Sequence, residues 1–399
     1  MAYVHEFVTT VAFGILTANQ PKFVQSIGTV PANMAGIVPS RRVRGTPFSA
    51  LVEAAGAKAF TVYNHMLLAS YYESYEADYR HLKEYVQIWD VAVERQVSIK
   101  GPDALHLMRQ VSPRDMDKMA NDQCYYMPIC DHKGGMLNDP VAIKIAEDHY
   151  WLSIADGDLL QWLLGLSVGQ GFDVEIDEPD VSPLAVQGPK ADDLMARVFG
   201  EIVRDIKFFR YKRLPFMDTN FVVARSGWSK QGGFEIYVEG GHYGLPLGNI
   251  LLEQGRDLNV RIGCPNLIER IEGGLLSYGS DIRRDNSPVE AGLTRFCNSP
   301  AEYIGKKEIE RQKLNGPRRQ IRPLEIDGPG DLPHNKSGWD VIDGSRKVGL
   351  IASSTWSPDF ETNVAIGMID KSHWHPGTRL EVHTKHGIRG ATVRESFWT

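Results

Sequence analysis

Apolar and polar positions change their period several times along the 399 residues of the chain. Residues 75–86 place apolar side chains at helical spacing and stop before Ile88-Trp89-Asp90-Val91. Residues 96–101 alternate like a strand and end at Gly101-Pro102. Residues 103–111 then predict a helix, with Asp103 at the end where a negative charge is favourable. Residues 125–130 predict one strand, followed by a turn at Asp131-His132-Lys133-Gly134-Gly135. Further strands are predicted over 141–145 and 150–154, and a helix over 159–165. These elements lack the regular period of a parallel βαβ array, which favours an α+β fold with antiparallel sheets.

A short pattern recurs. Leu184-Ala185-Val186-Gln187-Gly188-Pro189-Lys190-Ala191 echoes Val97-Ser98-Ile99-Lys100-Gly101-Pro102-Asp103-Ala104, each a strand running into Gly-Pro and a helix. Two related half-domains would produce this echo, and so would coincidence. Residues 1–45 differ from the rest, with three prolines and the ending Arg41-Arg42-Val43-Arg44-Gly45, and predict an N-terminal extension. The body runs over 46–315. Prolines 317, 323, 329 and 333 mark a boundary, and 316–399 predict a small β-barrel or jelly-roll module.

Composition narrows the function classes. Forty-four Lys+Arg against 50 Asp+Glu argue against a nucleic-acid partner, which calls for net positive charge or a dense basic stripe. No apolar run reaches the ~18 residues expected of a membrane span. The apolar stretch 8–18 follows Glu6 rather than a basic segment and makes a poor signal peptide. Cys124, Cys130, Cys264 and Cys297 form no C-x-x-C pair, which fits a reducing, cytoplasmic setting. The chain has no P-loop, G-x-G-x-x-G, G-x-S-x-G or H-E-x-x-H motif. His373-Trp374-His375 is a weak metal pattern, and no metal is expected.

The informative segment is Arg225-Ser226-Gly227-Trp228-Ser229-Lys230-Gln231-Gly232-Gly233-Phe234-Glu235-Ile236-Tyr237-Val238, a glycine-punctuated loop entering an alternating strand. Alternation points Glu235 away from Phe234 and Ile236. An enclosed carboxylate there needs a partner, such as a ring edge with two adjacent N–H donors. The pattern alone equally allows an exposed strand glutamate.

This segment resembles the pterin-binding stretch of the glycine-cleavage T-protein (aminomethyltransferase) superfamily, R-[ST]-G-[YW]-x-x-x-x-G-[FY]-E. Other landmarks of that superfamily follow in order: Gly134-Gly135-Met136-Leu137-Asn138-Asp139, the stretch 184–191, Arg270-Ile271-Glu272, Tyr278-Gly279-Ser280-Asp281, Pro288-Val289-Glu290-Ala291-Gly292-Leu293, Tyr303-Ile304-Gly305-Lys306 and Thr355-Trp356-Ser357-Pro358. The resemblance implies a three-domain, cloverleaf-like fold with two ferredoxin-like or antiparallel-sheet halves and a C-terminal β-barrel. Departures at 57–66, 91–97, Asn138, Trp228 and Asn266 are closer to the tetrahydrofolate-dependent dimethylsulfoniopropionate demethylases. That resemblance implies tetrahydrofolate as methyl acceptor and a small sulfonium as donor.

It also implies roles. Glu235, Tyr126, Asn266 and Trp228 would hold the folate. Asp139 would sit near folate N5 to orient it or take its proton, although an aspartate beside Pro140 also suits a plain turn cap. Asp139 and Trp228 are therefore the catalytic candidates. Trp228, Tyr63 and Trp89 would offer aromatic faces to the cation, with Trp356 more remote, at about 0.5–2 kcal/mol per contact. Lys58, Arg95 or Lys230 would meet the substrate carboxylate. A homodimer is expected. Two other functions stay open: an O- or N-demethylase, which needs a general acid such as His65, and a non-catalytic folate-binding regulator.

Overall fold

The computed structural model describes residues 42–332, 335 and 338–399. Most of the expected N-terminal extension therefore lies outside the described residues. At its end, Arg44 N–H donates to the His65 carbonyl at 2.7 Å, and the Arg44 guanidinium pairs with Glu178 at 3.1 Å.

Two sheets form the body. The first has five antiparallel strands in the order Glu175–Asp177, Gln96–Lys100, His149–Ser153, Val141–Ala146, Cys124–Tyr126. Val97, Ile99, Tyr150 and Leu152 pack on one face against helices Ala104–Val111 and Leu159–Gln170, while Trp151 and Ile143 point to the other face. The second has six strands in the order Tyr211–Phe216, Thr219–Ala224, Gly233–Glu239, Val181–Gln187, Gln87–Asp90, Arg261–Gly263, with only the last pair parallel. Phe234, Ile236 and Val238 enter its helix-covered core, beside helices Ala191–Phe199 and Gly244–Gln254. Burying each of these side chains contributes about 1.5–3 kcal/mol. A one-residue slip would exchange them with Glu235 and Tyr237, so the register is strongly specified.

The uncovered faces of the two sheets meet through Cys124, Ile143 and Trp151 on one side and Val222, Ala224 and Tyr237 on the other. The repeated strand–Gly-Pro–helix pattern adopts the same local geometry twice. Ala104 N–H donates to Gly101 C=O, and Ala191 N–H to Gly188 C=O, both at 3.0 Å.

Some local expectations change. The single strand expected over 125–130 is two strands in different sheets, Cys124–Tyr126 and Ile129–Cys130. Pro128 cannot donate to a ladder, and Met127 N–H turns to the Pro140 carbonyl at 2.9 Å. Asp103 stands at the N-cap of helix Ala104–Val111, as its charge favours, but makes no side-chain capping bond there; its carboxylate accepts from Asp173 N–H at 2.9 Å.

The C-terminal module is a closed barrel in the order Arg319–Ile326, Thr362–Asp370, Arg346–Ser357, Trp339–Asp343, Arg379–Thr384, Gly387–Val393. Leu324, Val341, Ile351 and Val382 fill its interior. Its outer face packs Ile321, Val364 and Ile366 against Ile271, Ile282 and Val289. Arg270 pairs with Asp281 at 2.8 Å and crosses this seam to Ser353 Oγ at 2.7 Å, so the buried charge is paired, as burial requires. No helix among the described residues is long and apolar enough to cross a membrane.

Candidate active site

Glu235 lies on the face of its strand that meets the five-stranded sheet, and it is 6% exposed. Ser226 Oγ donates to its Oε2 at 2.5 Å, and the Tyr237 hydroxyl reaches the same oxygen at 3.3 Å. Both contacts fall on Oε2, and Oε1 makes none among the described residues. Burial pushes the Glu235 carboxyl above its ordinary range, and the two hydroxyls pull only partly against that. Facing it is Glu94, from the loop between Gln87–Asp90 and Gln96–Lys100. Burial, reinforced by the charge of Glu235, pushes Glu94 up to about 8, although Ser153 Oγ donates to it at 3.1 Å. Two carboxylates in one enclosed space do not readily ionise together.

Asp139 follows the short strand Met136–Asn138. The Tyr126 hydroxyl donates to its Oδ2 at 2.8 Å, while Oδ1 is buried without a partner among the described residues. Burial pushes Asp139 up to about 7. Asn138 shapes this turn: its Oδ1 accepts from Asp139 N–H and Ala155 N–H, and its Nδ2 donates to Ala155 C=O. Tyr63 arrives on the hairpin Ala59–Tyr63/Met66–Tyr71. Asn64, in its turn, clamps that hairpin by donating to Val93 C=O at 2.9 Å and accepting from Gly157 N–H at 2.8 Å. Burial, then the charges of Glu94 and Asp139, hold the Tyr63 phenol well above its ordinary pKa and keep it protonated.

The loop before Glu235 is held from both sides. Gln187 Nε2 donates to Ser226 C=O at 3.1 Å and Phe234 C=O at 3.3 Å, and its Oε1 accepts from Ser229 Oγ at 2.9 Å. A Cβ on Gly227 (φ +151°) would lie 2.1 Å from Gln187 Nε2, and one on Gly233 (φ +147°) 2.1 Å from Val186 C=O. Only glycine fits at either position. On the opposite side the buried Glu269 carboxylate accepts from Lys230 N–H. Trp228 is half-buried in this loop, and the Arg270 guanidinium lies 5.7 Å from its ring centroid.

The structure thus gathers Glu235, Asp139, Tyr126 and Tyr63 and sends other candidates elsewhere. Trp89, expected at the donor pocket, is a core residue: its ring is fully buried with Leu82, Val91 and Ala185, and its Nε1 donates to Gln87. Asn266, expected at the folate, is spent as a helix cap: Oδ1 accepts from Ile268 and Glu269 N–H, and Nδ2 donates to Tyr75 C=O. Arg95, expected to meet the substrate, forms a two-pronged ion pair with Glu178. Lys58, Lys230 and His65 are exposed, and Trp356 covers Gly330. His373 bonds Asp343 at 3.0 Å, and no group of three His, Cys, Asp or Glu among the described residues could hold a metal ion. Glu94, Tyr237 and Gln187 had no assigned role. Tyr237 shares Glu235's strand parity, and Glu94 interrupts an apolar run, so both had a signal. Gln187 had none beyond its motif.

Tetrahydrofolate fits this site by two observations: the open oxygen of Glu235 suits a pterin N–H edge, and the orphaned Asp139 Oδ1 suits a protonated ring nitrogen.

The GCVT N-terminal domain model matches residues 48–300, and the glycine cleavage T-protein C-terminal barrel domain model matches 319–398. The dimethylsulfoniopropionate demethylase DmdA of Ruegeria pomeroyi is 66% identical over 365 residues, covering 92% of this chain and 100% of the relative. An aminomethyltransferase of Caldanaerobacter subterraneus subsp. tengcongensis is 27% identical, covering 82% of this chain and 88% of the relative. The crystal structure of the glycine cleavage system aminomethyltransferase T from Bartonella henselae superposes with a TM-score of 0.79 at 22% identity, covering 90% and 98% of the two chains. The sheets, the closed barrel and these matches agree, and the chain belongs to the glycine-cleavage T-protein (aminomethyltransferase) family.

Proposed function

We infer that this protein is a methyltransferase that moves an S-methyl group from dimethylsulfoniopropionate to N5 of tetrahydrofolate, releasing 5-methyltetrahydrofolate and 3-methylmercaptopropionate. The observation that carries this reading is the likeness to the Ruegeria demethylase along that protein's whole length. Tetrahydrofolate, when bound, supplies the N5 nucleophile. A neutral thioether is already a good leaving group, so the chain's tasks are alignment, dehydration and charge placement. Alignment alone supplies up to about 7–11 kcal/mol in the best cases.

Glu235 accepts from the pterin edge and sets its orientation. As the methyl moves, positive charge leaves sulfur and arrives at N5. Asp139 is placed to stabilise that arriving charge and then take the N5 proton on Oδ1, while Tyr126 holds the carboxylate still. Tyr63 is the aromatic ring beside Glu94 and Asp139, and an aromatic face there favours a bound sulfonium. Trp228, in the loop that carries Glu235, offers a second face. A cation–π contact weakens as sulfur loses charge, so it serves affinity more than rate.

The test is to incubate the protein with both substrates and follow 5-methyltetrahydrofolate by mass. Product with vanillate or dimethylglycine but none with the sulfonium would overturn the donor, and no turnover with any donor would favour a binding protein. A cytoplasmic location fits the four free, buried cysteines. A homodimer belongs to the same reading and is checked by light scattering.

The carboxylates predict a bell-shaped pH profile. Asp139 works as the anion, so kcat/KM rises with pH through about 7. Glu94 holds a proton that lets Glu235 carry its charge alone, so kcat/KM falls again through about 8. Glu94→Gln is expected to keep the acid limb and flatten the alkaline one; initial rates across that range check it. Stability has its own sign. These folded-state pKa values lie above the unfolded ones, so the native state binds more protons in between. Stability of the ligand-free protein is therefore greatest below about 3.8 and is lost as pH rises towards about 8, as far as these groups decide it.

A further inference from the structure

We propose that Arg114 and Arg295 form a carboxylate-binding subsite beside the Tyr126–Asp139 end of the site. The proposal rests on the functional reading above and adds to it the group that receives a ligand's negative end.

Arg114 follows helix Ala104–Val111 and is half-buried. Its guanidinium stacks on the Tyr125 ring at 3.7 Å, faces Phe296 at 4.9 Å and donates to the Tyr126 carbonyl. Arg295 comes from a distant segment, the turn Thr294–Phe296, and faces the same Phe296 ring at 4.6 Å. Phe296 in turn meets Tyr126 edge-on at 5.1 Å, and the Tyr126 phenol holds Asp139. Two cations therefore share one ring at the flank of the residue that positions the proposed base.

Neither guanidinium has a carboxylate partner among the described residues. The acids nearest them in sequence are engaged elsewhere: Asp115 with Lys118 at 2.7 Å, and Glu290 with Arg319 at 3.2 Å. Of the other half-buried arginines, Arg95, Arg225 and Arg319 are ion-paired, while Arg322 is held by the Trp374 carbonyl at 3.0 Å and faces the Trp374 ring without a second cation on it among the described residues. A partly desolvated cation beside a like charge is costly without a counter-ion. Burial holds Arg114 below its ordinary pKa; Tyr125 pulls against this, and the charge of Arg295 adds a smaller lowering. A carboxylate relieves both arginines at once, and the planar guanidinium fork matches it in shape.

Two ligands bring a carboxylate: the propionate of the methyl donor and the glutamyl tail of the folate. The experiment separates them. Arg295→Gln, at an exposed position, and Arg114→Gln, checked for fold by circular dichroism, are assayed for KM against each substrate. Loss of a charged hydrogen bond raises the KM of the carboxylate-bearing ligand ~10-fold or more with kcat little changed, and Arg295→Lys recovers part of it. If the donor is bound here, the KM for dimethylsulfoniopropionate rises while inhibition by trimethylsulfonium, which lacks the acid, does not move. If the folate tail is bound here, the KM for tetrahydrofolate rises while that for 6-methyltetrahydropterin does not. Unchanged KM values for both substrates in both folded variants overturn the proposal, as does an equal loss with the carboxylate-free compounds. A wild-type protein inactive on the sulfonium would instead overturn the functional reading. Calorimetric titration of tetrahydrofolate and of propionate into wild type and Arg295→Gln then still decides the subsite.

Discussion

Glu235→Gln is expected to lower tetrahydrofolate affinity by about 10²-fold or more and to carry kcat/KM down with it. A charged hydrogen bond contributes about 1.5–3 kcal/mol, and the glutamine amide turns one of two acceptors into a donor facing a donor. Ser226 and Tyr237 still have the amide oxygen to donate to, so the strand and loop keep their geometry. Stability should move the other way. Glu235 is a buried carboxylate whose pKa is raised by burial, so removing its charge leaves the ligand-free protein at least as stable near neutral pH. The paired measurement is a folate titration and a thermal melt. Folate bound within about threefold of wild type would overturn the assignment, and a lower melting temperature with weak binding would point to a structural role instead.

Asp139→Asn is expected to separate chemistry from binding. A positioned general base contributes typically 10²–10⁴-fold, so kcat should fall by about that range. Asparagine keeps an oxygen for the Tyr126 hydroxyl, and the turn stays fastened through Asn138 to Ala155. Folate affinity should fall by less than kcat does, because Glu235 still holds the other edge, and the rise of kcat/KM through about 7 should disappear with the group that causes it. A variant whose kcat stays within about fivefold of wild type would mean that the N5 proton leaves to solvent and that Asp139 is a turn residue. The kcat and the acid limb of the pH profile, measured on one preparation, decide between the two.

Much of this molecule is legible in local pattern because local sterics and burial set it. Period-2 alternation over Gly233–Glu239 places Glu235 and Tyr237 opposite Phe234, Ile236 and Val238, and the two sheet faces have that composition. The Gly-Pro echo marks two strands that enter helices in the same way, a geometry confined to neighbouring residues. The break at Pro128 was missed. The missing N–H was visible, but the partner that takes Met127 N–H, Pro140, belongs to another strand pair.

The site is a different matter. Trp89, Asn266, Arg95 and Tyr63 are residue types that bind ligands, and nothing in their spacing separates them. Trp89 is walled in by Leu82 and Ala185, Asn266 is taken by the Tyr75 carbonyl and two helix N–H groups, and Arg95 is taken by Glu178. Tyr63 is brought to Asp139 and Glu94 by a hairpin clamped through Asn64. The sequence by itself determined the family, the alternation that enclosed Glu235, and the glycines that let Gln187 grip the loop. Only the tertiary structure decided which candidate side chains remained available, and that Glu94 would share Glu235's enclosure. Periodicity reports which face a residue turns to. Burial, pairing and proton affinity depend on neighbours that only the folded chain brings near.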